Sequence, residues 1–348
     1  MKKLLLVILV FSVAIMGFSQ VSPSTDKYKS VKVSDRNTSM DDATNFNNPV
    51  STMKANTLLA PTETQIGITY YDLFSNYNVG NRFWVHEDGT MSAVWIYGEP
   101  GGASSFPGRG TGYNYYDGTA WGPQPTERIE NTRTGWPNIA ASGAGEFGVA
   151  HNGSSGLEVI YRAAKGTGDW TQTNFLGPAG IEDAITWPRA CASGPANEYN
   201  HILVPSNSEY AGQASAVVYS RTMDGGATYD IHNVVPEYTG PDYYLESVQD
   251  RNVFASNGNT ICFLYVSIET DLYYLRSDDN GENWERVIVW EYPIEFYDPA
   301  GGEPLDTTFA PDMSAHLTID DGGHVHVVFG LTRIFNEDGT GLSYFPYH

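Results

Sequence analysis

The residues of this chain best suited to chemistry are a few arginines and one cluster of tyrosine and glutamate. The segment YYLESVQDR sets Tyr243, Tyr244 and Glu246 close to Arg251. These three, phenols beside a carboxylate, are the catalytic candidates. Arg82, Arg189 and Arg251 are suited to clamping an anion, because a guanidinium presents a planar fork of donors that fits a carboxylate. Trp136 and Trp187 offer flat faces on which a sugar ring can stack, and Asn138 and Asp312 offer orienting polar groups. His324 and His326 point to the same face of a strand. No third ligand accompanies them and no Cys/His cluster has zinc spacing, so neither a metal nor a cofactor is expected. The glycine-rich run Gly98–Gly112 lacks the Lys-Ser/Thr ending of a phosphate loop, and Gly-x-Ser-x-Gly does not occur.

The elements that must position these residues repeat along the chain. GWPNIAASGAGEFGVAHNG from Gly135, TWPRACASGPANEYNHILV from Thr186 and FAPDMSAHLTIDDGGHVHVVFG from Phe309 share one rhythm of strand, tight turn and strand. DRNVFASNGNTICFLYV from Asp250 and NRFWVHEDGTMSAVWIYG from Asn81 are variants of it. A second hairpin follows the copies from Asn81, Gly135, Thr186 and Asp250, as in DLYYLRSDDNGENWERV, so each of those units has four short strands. The spacing is 51 residues from Trp136 to Trp187 and 55 from Asp224 to Asp279. Four strands at that period predict a β-propeller, in which stacking sheets around an axis buries both faces of each. Aligning the repeats puts Asn138, Arg189 and Asp312 at one equivalent position, with Arg82 and Arg251 close to it and Trp136 and Trp187 two residues ahead. The expected place for that position is a channel mouth, where these side chains either bind a ligand or pack between blades and pair with one another.

Composition agrees with an all-β chain. Of 348 residues, 23 are Tyr, 36 Gly and 8 Trp. A net charge of −22 disfavours nucleic acid and anionic membranes as partners. Residues 1–19, with Lys2, Lys3 and an apolar run from Leu4, read as a signal peptide. Residues 20–64 read as a polar, largely disordered leader, and 65–348 as the propeller. The expected product is secreted or held at the cell surface, without membrane insertion after cleavage, and monomeric. Cys191 and Cys262 are too few for a disulfide framework, and whether they pair stays open.

The stretch Ser277-x-Asp279-x-Gly281-x-x-Trp284 resembles the Asp-box of the sialidase and BNR-repeat propellers, with a near copy from Thr222 to Tyr229. YYDGTAW (Tyr115–Trp121) and AAKGTGDW (Ala163–Trp170) look like reduced versions. In that superfamily the box joins the third and fourth strands of a blade on the outer rim, away from the active face. The stretches GITYYDLFSNYNVGNRFWVHEDGTMSAVWIYG and GRGTGYNYYDGTAWGP resemble secreted Bacteroidetes propellers of the type IX export route. Five units are visible, the last incomplete with a strand under way at GLSYFPYH, so the expectation is a fragment of a propeller of six blades or more, broken off in the fifth.

A sialidase needs three arginines, a Tyr–Glu nucleophile pair and an Asp acid/base. The family's early Arg-Ile-Pro context is missing around Arg82. The reading is therefore a propeller that binds a glycan or surface polymer without turnover. The alternatives are an exo-sialidase or other glycoside hydrolase, and an extracellular scaffold without a small ligand.

Overall fold

The computed structural model describes residues 63–344, apart from 72–77, 79, 100–104, 154, 244–250, 268–269 and 295–296. The expected signal peptide and nearly all of the leader lie outside the described residues, as do Tyr244 and Glu246. Every element among the described residues is a strand, and all recorded pairings are antiparallel. The first sheet has β1 (Phe83–Val85), β2 (Met91–Tyr97) and β3 (Gly110–Tyr116). The second has β4 (Thr134–Ser142), β5 (Gly145–Asn152), β6 (Leu157–Arg162) and β7 (Thr171–Phe175). The third has β8 (Arg189–Ser193), β9 (Tyr199–Pro205), β10 (Val217–Thr222) and β11 (Ile231–Val234). The fourth has β12 (Val253–Asn257), β13 (Thr260–Tyr265), β14 (Leu272–Ser277) and β15 (Glu285–Trp290). The fifth has β16 (Leu305–Ile319), β17 (Val325–Asn336) and β18 (Ser343–Tyr344).

The chain forms two compact units. The larger is Glu63–Tyr297 with Ala310–Leu331; the other includes Asp298–Phe309 and the chain from Thr332 on. In the smaller one, Arg333 lies over the Phe309 ring and the Gly302 N–H donates to the Gly339 carbonyl. The larger unit is a β-propeller. Its first strands β1, β4, β8 and β12 touch in succession. The turns after them are linked as well: Gly143 N–H donates to Asn197 O, Gly194 N–H to Gly258 O, and the Asn257 amide to Asp320 O.

Alternation explains the stacking. In β13, Ile261, Phe263 and Tyr265 point into one cluster with Leu203 and Tyr219 of the third sheet. Cys262 and Leu264, between them, point into another with Ala315, Leu317 and Ile319. A strand apolar on both faces has to be covered on both. A third cluster joins Phe147, Val149 and Val159 to Ile202 and Val204. Truncating Phe263, which is fully buried, would cost about 3–5 kcal/mol. Cys191 and Cys262 are both buried and free, which settles the pairing question.

The first sheet departs from expectation. Four strands were predicted for the unit that begins at Asn81, and three form among the described residues. After the Asp117 turn, Trp121 makes a single bridge to Tyr116, and Pro123 and Pro125 follow. Proline has no N–H to give a ladder. The edge of β3 is covered instead by Ile129, whose N–H donates to Thr111 O, and by the buried Glu130 carboxylate, which accepts Thr111 N–H at 2.8 Å.

Candidate functional site

The turns between third and fourth strands lie at the same end of the sheets as the turns after the first strands. In the fourth sheet, Ser277 Oγ donates to Asp279 Oδ1 at 2.7 Å and accepts Gly281 N–H, while Asp279 accepts Asn283 N–H at 3.0 Å. Thr222, Asp224, Gly226 and Thr228 repeat this in the third sheet. Trp284 then packs edge-on against Tyr219 of the preceding sheet, 5.4 Å between centroids. In the turn that lacks the Asp, the buried Glu146 accepts Gly166 N–H at 3.0 Å and pairs with Arg162. All these groups are engaged in holding turns and sheet junctions.

The opposite end, where the first strands begin, is held by a hub that takes in some of the predicted binding residues. Asn81 donates its side-chain amide to Ala190 O at 2.7 Å and Phe254 O at 3.0 Å, and its carbonyl accepts Ile139 N–H. Asn78 donates to Arg251 O and accepts Ala315 N–H at 3.1 Å. Two asparagines thus grip the leading strands or strand-entry residues of four sheets.

Asn138 and Arg189 reach this hub and are buried in it. Asn138 Oδ1 accepts Asn81 N–H at 3.0 Å. Arg189 donates to the carbonyls of Asn252, Pro188 and Asn78 at 2.8, 3.1 and 2.8 Å. Each follows a Trp-Pro pair whose Trp has a left-handed backbone, with φ of 52° at Trp136 and 54° at Trp187. For a bulky side chain this is a costly conformation, of order 1–3 kcal/mol.

Trp136 packs at a tilt against the His151 ring, 4.9 Å between centroids, and Arg109 lies between Trp136 and Tyr71. His151 Nδ1 accepts from the Thr186 hydroxyl at 3.0 Å and from Trp187 N–H, so the neutral ring carries its proton on Nε2. Burial, with Arg109 and Arg133 nearby, lowers its pKa to about 3. Gly135 leaves room for this packing, since a Cβ there would meet Arg109 at 2.9 Å.

Beside the hub an open cleft of about 810 Å³ separates the first sheet from the fifth. Asn78, Asn81, Arg82 and Phe83 form one wall; Ser314, His316, Val328 and Phe329 form the other. Among the described residues no Asp or Glu lines it. Arg82 and Phe83 also border a smaller cavity of about 350 Å³ against Trp95. Phe83 is 50% exposed and Val328 74%. Asp312 packs on Gly330 at the cleft margin, closely enough that a side chain at 330 would clash, and accepts Ser314 N–H.

The predicted residues therefore separate. Asn138, Arg189 and the backbone of Arg251 meet at the hub. Arg82 faces the cleft, with Asp312 at its edge. Trp136 and Trp187 flank His151. Tyr243 packs against Tyr238 and under Arg286. His324 and His326 both engage Asp320. Among the described residues no three His, Cys, Asp or Glu side chains form a group able to hold a metal ion. Asn78, Asn81, Arg109, His151 and His316 were not anticipated. Only Asn81, next to Arg82 at the start of a repeat, carried a positional signal.

No family model matches the chain, and no curated protein does. Solved structures with a related strand layout include a Trypanosoma rangeli sialidase with the inhibitor DANA (14% identity, TM-score 0.41, 78% of this chain). This chain spans about half of that sialidase, 48%. A Dyadobacter fermentans protein of unknown function is 11% identical, with TM-score 0.43 and 81% and 85% coverage of the two chains. A Fusarium graminearum α-L-arabinofuranosidase with an iminosugar inhibitor is 14% identical, with TM-score 0.46 and 77% and 82% coverage. At these scores the propeller assignment rests on the sheets and junctions described above.

Proposed function

We propose that this propeller binds a glycan or an extracellular polymer in the cleft beside the hub, without turning it over, and that it does so as a secreted or surface-held monomer. The observation that carries the reading is the cleft lining. One Arg, one His, two Asn and a Ser are interleaved with two Phe and a Val around an open concave space. Aromatic faces with a few convergent polar groups suit a sugar ring, which is apolar on its faces and polar at its rim. Glycoside hydrolysis commonly uses a pair of carboxyl groups flanking the scissile bond. Among the described residues of the lining there is no Asp or Glu, and Asp312 stands at its margin.

The test is a glycan array and a panel of fluorogenic glycosides, sialosides included, run on the full chain. Binding without hydrolysis, weakened about tenfold or more by Arg82→Ala or Phe83→Ala, is the expected result, the scale of a lost charge-assisted hydrogen bond or a lost stacking face. Hydrolysis that disappears in Glu246→Gln would show an enzyme instead. No response in either assay would favour a scaffold. A longer form of the chain in which another sheet fills this space and buries Phe83 and Val328 would also overturn the reading.

A further inference from the structure

We infer that Asn138 acts as a positioning residue for the cleft: it touches no ligand itself and fixes the wall that does. The inference rests on the ligand reading above. Asn138 is 1% exposed and is not part of the cleft lining. The register of β4 against β5 shifts between Gly135 and Asn138, and within that shift Trp136 takes its left-handed backbone. A bulge of this kind re-aims the side chain that follows it. Here it turns Asn138 onto the hub. Its amide donates to Trp136 O at 3.2 Å and Pro188 O at 2.8 Å, tying the second sheet to the strand entry of the third. Its Oδ1 accepts the Asn81 N–H and sits so close to Gly80 that a Cβ there would overlap it. One side chain thereby sets the backbone of Gly80 and Asn81, which lead directly into Arg82 and Phe83. The strained Trp136 is held by the same amide, which accounts for a conformation that costs stability locally.

The test uses the full chain as wild type, Asn138→Ala and Asn138→Asp, with near-UV circular dichroism to confirm folding. Hydrogen exchange at residues 80–82 is compared with exchange in β13, and affinity is measured for the glycan selected on the array. In Asn138→Ala, exchange at 80–82 should rise about tenfold while β13 keeps its wild-type rate, and affinity should fall about tenfold, the scale of one lost hydrogen bond. Asn138→Asp should recover much of both losses at pH 5 and little at pH 8. Its buried carboxyl replaces the amide donor only when protonated, and when ionised it faces two carbonyl oxygens. A merely structural role would loosen 80–82 and β13 together and show no such pH profile; that result overturns the inference, as does unchanged exchange at 80–82. If the wall loosens as expected but wild type binds no glycan on the array, the positioning role stands and the ligand reading falls.

Discussion

Two kinds of sheet junction occur in this propeller. The junctions between the second, third, fourth and fifth sheets are closed by apolar clusters whose members are almost all below a tenth exposed. The space between the first and fifth sheets is open, with Phe83 and Val328 facing solvent. The same alternating strands build both. What differs is whether a neighbouring sheet offers a complementary face. Burial of both faces is the stabilising term in the closed junctions. At the open one Phe83 and Val328 stay exposed. The junction between first and second sheets differs again. It is polar, built on Ser92, Tyr113, Glu146 and Arg162, with Tyr113 donating to Glu146 at 2.9 Å. A buried pair of this kind stabilises little over an apolar filling, yet is costly to break.

This contrast can be broken most forcefully at a closed junction. Gly281 has φ of 88° and lies against Tyr219 of the neighbouring sheet with no room for a side chain. Gly281→Val should destabilise the fold by about 3–5 kcal/mol, combining steric overlap with backbone strain, read as a loss in chemical denaturation midpoint. Next comes the hub: Asn81→Ala leaves two carbonyls without their shared donor and should cost about 2–3 kcal/mol. Asp279→Ala, at the rim turn, should cost about 1–2 kcal/mol and leave glycan affinity as it was.

Stability also depends on pH through two buried histidines. His151 and His201 are buried in and beside the closed junctions, and burial, with nearby arginines, lowers both from 6.5 to about 3. The unfolded chain then binds more protons than the folded one between those values. Stability should be full above about pH 6.5 and decline as pH falls toward 3, visible as a falling Tm. A Tm that stays flat over that range would place the histidines in wetter surroundings. The smallest effect belongs to the open junction, where Val328→Ser should move stability by no more than about 0.5 kcal/mol.

Much of the fold was legible, and the particulars explain why. Ser277, Asp279 and Gly281 form a local turn whose hydrogen bonds span four residues, so their spacing in sequence carries their geometry. The Trp-Pro-polar repeat correctly set Asn138 and Arg189 at one equivalent place, but in the fifth sheet that place falls to Ala315, two residues after the left-handed Met313, and not to Asp312. Their use was not legible, because their partners Asn81, Asn252 and Asn78 lie 57, 63 and 111 residues away. The missing fourth strand of the first sheet was signalled by Pro123 and Pro125, whose lack of an N–H prevents the ladder that the repeat predicted. The loss of Asp from the second sheet's turn was visible, but its replacement by Glu146, from a neighbouring strand, was not.

The most direct test of the cleft as the binding site is a hydrogen-exchange footprint of the wild-type chain with and without the glycan that binds best on the array. Protection confined to residues 80–83, 314–316 and 328–330 is the expected result. Protection at the rim turns, residues 222–229 or 277–284, with none at the cleft, would contradict it.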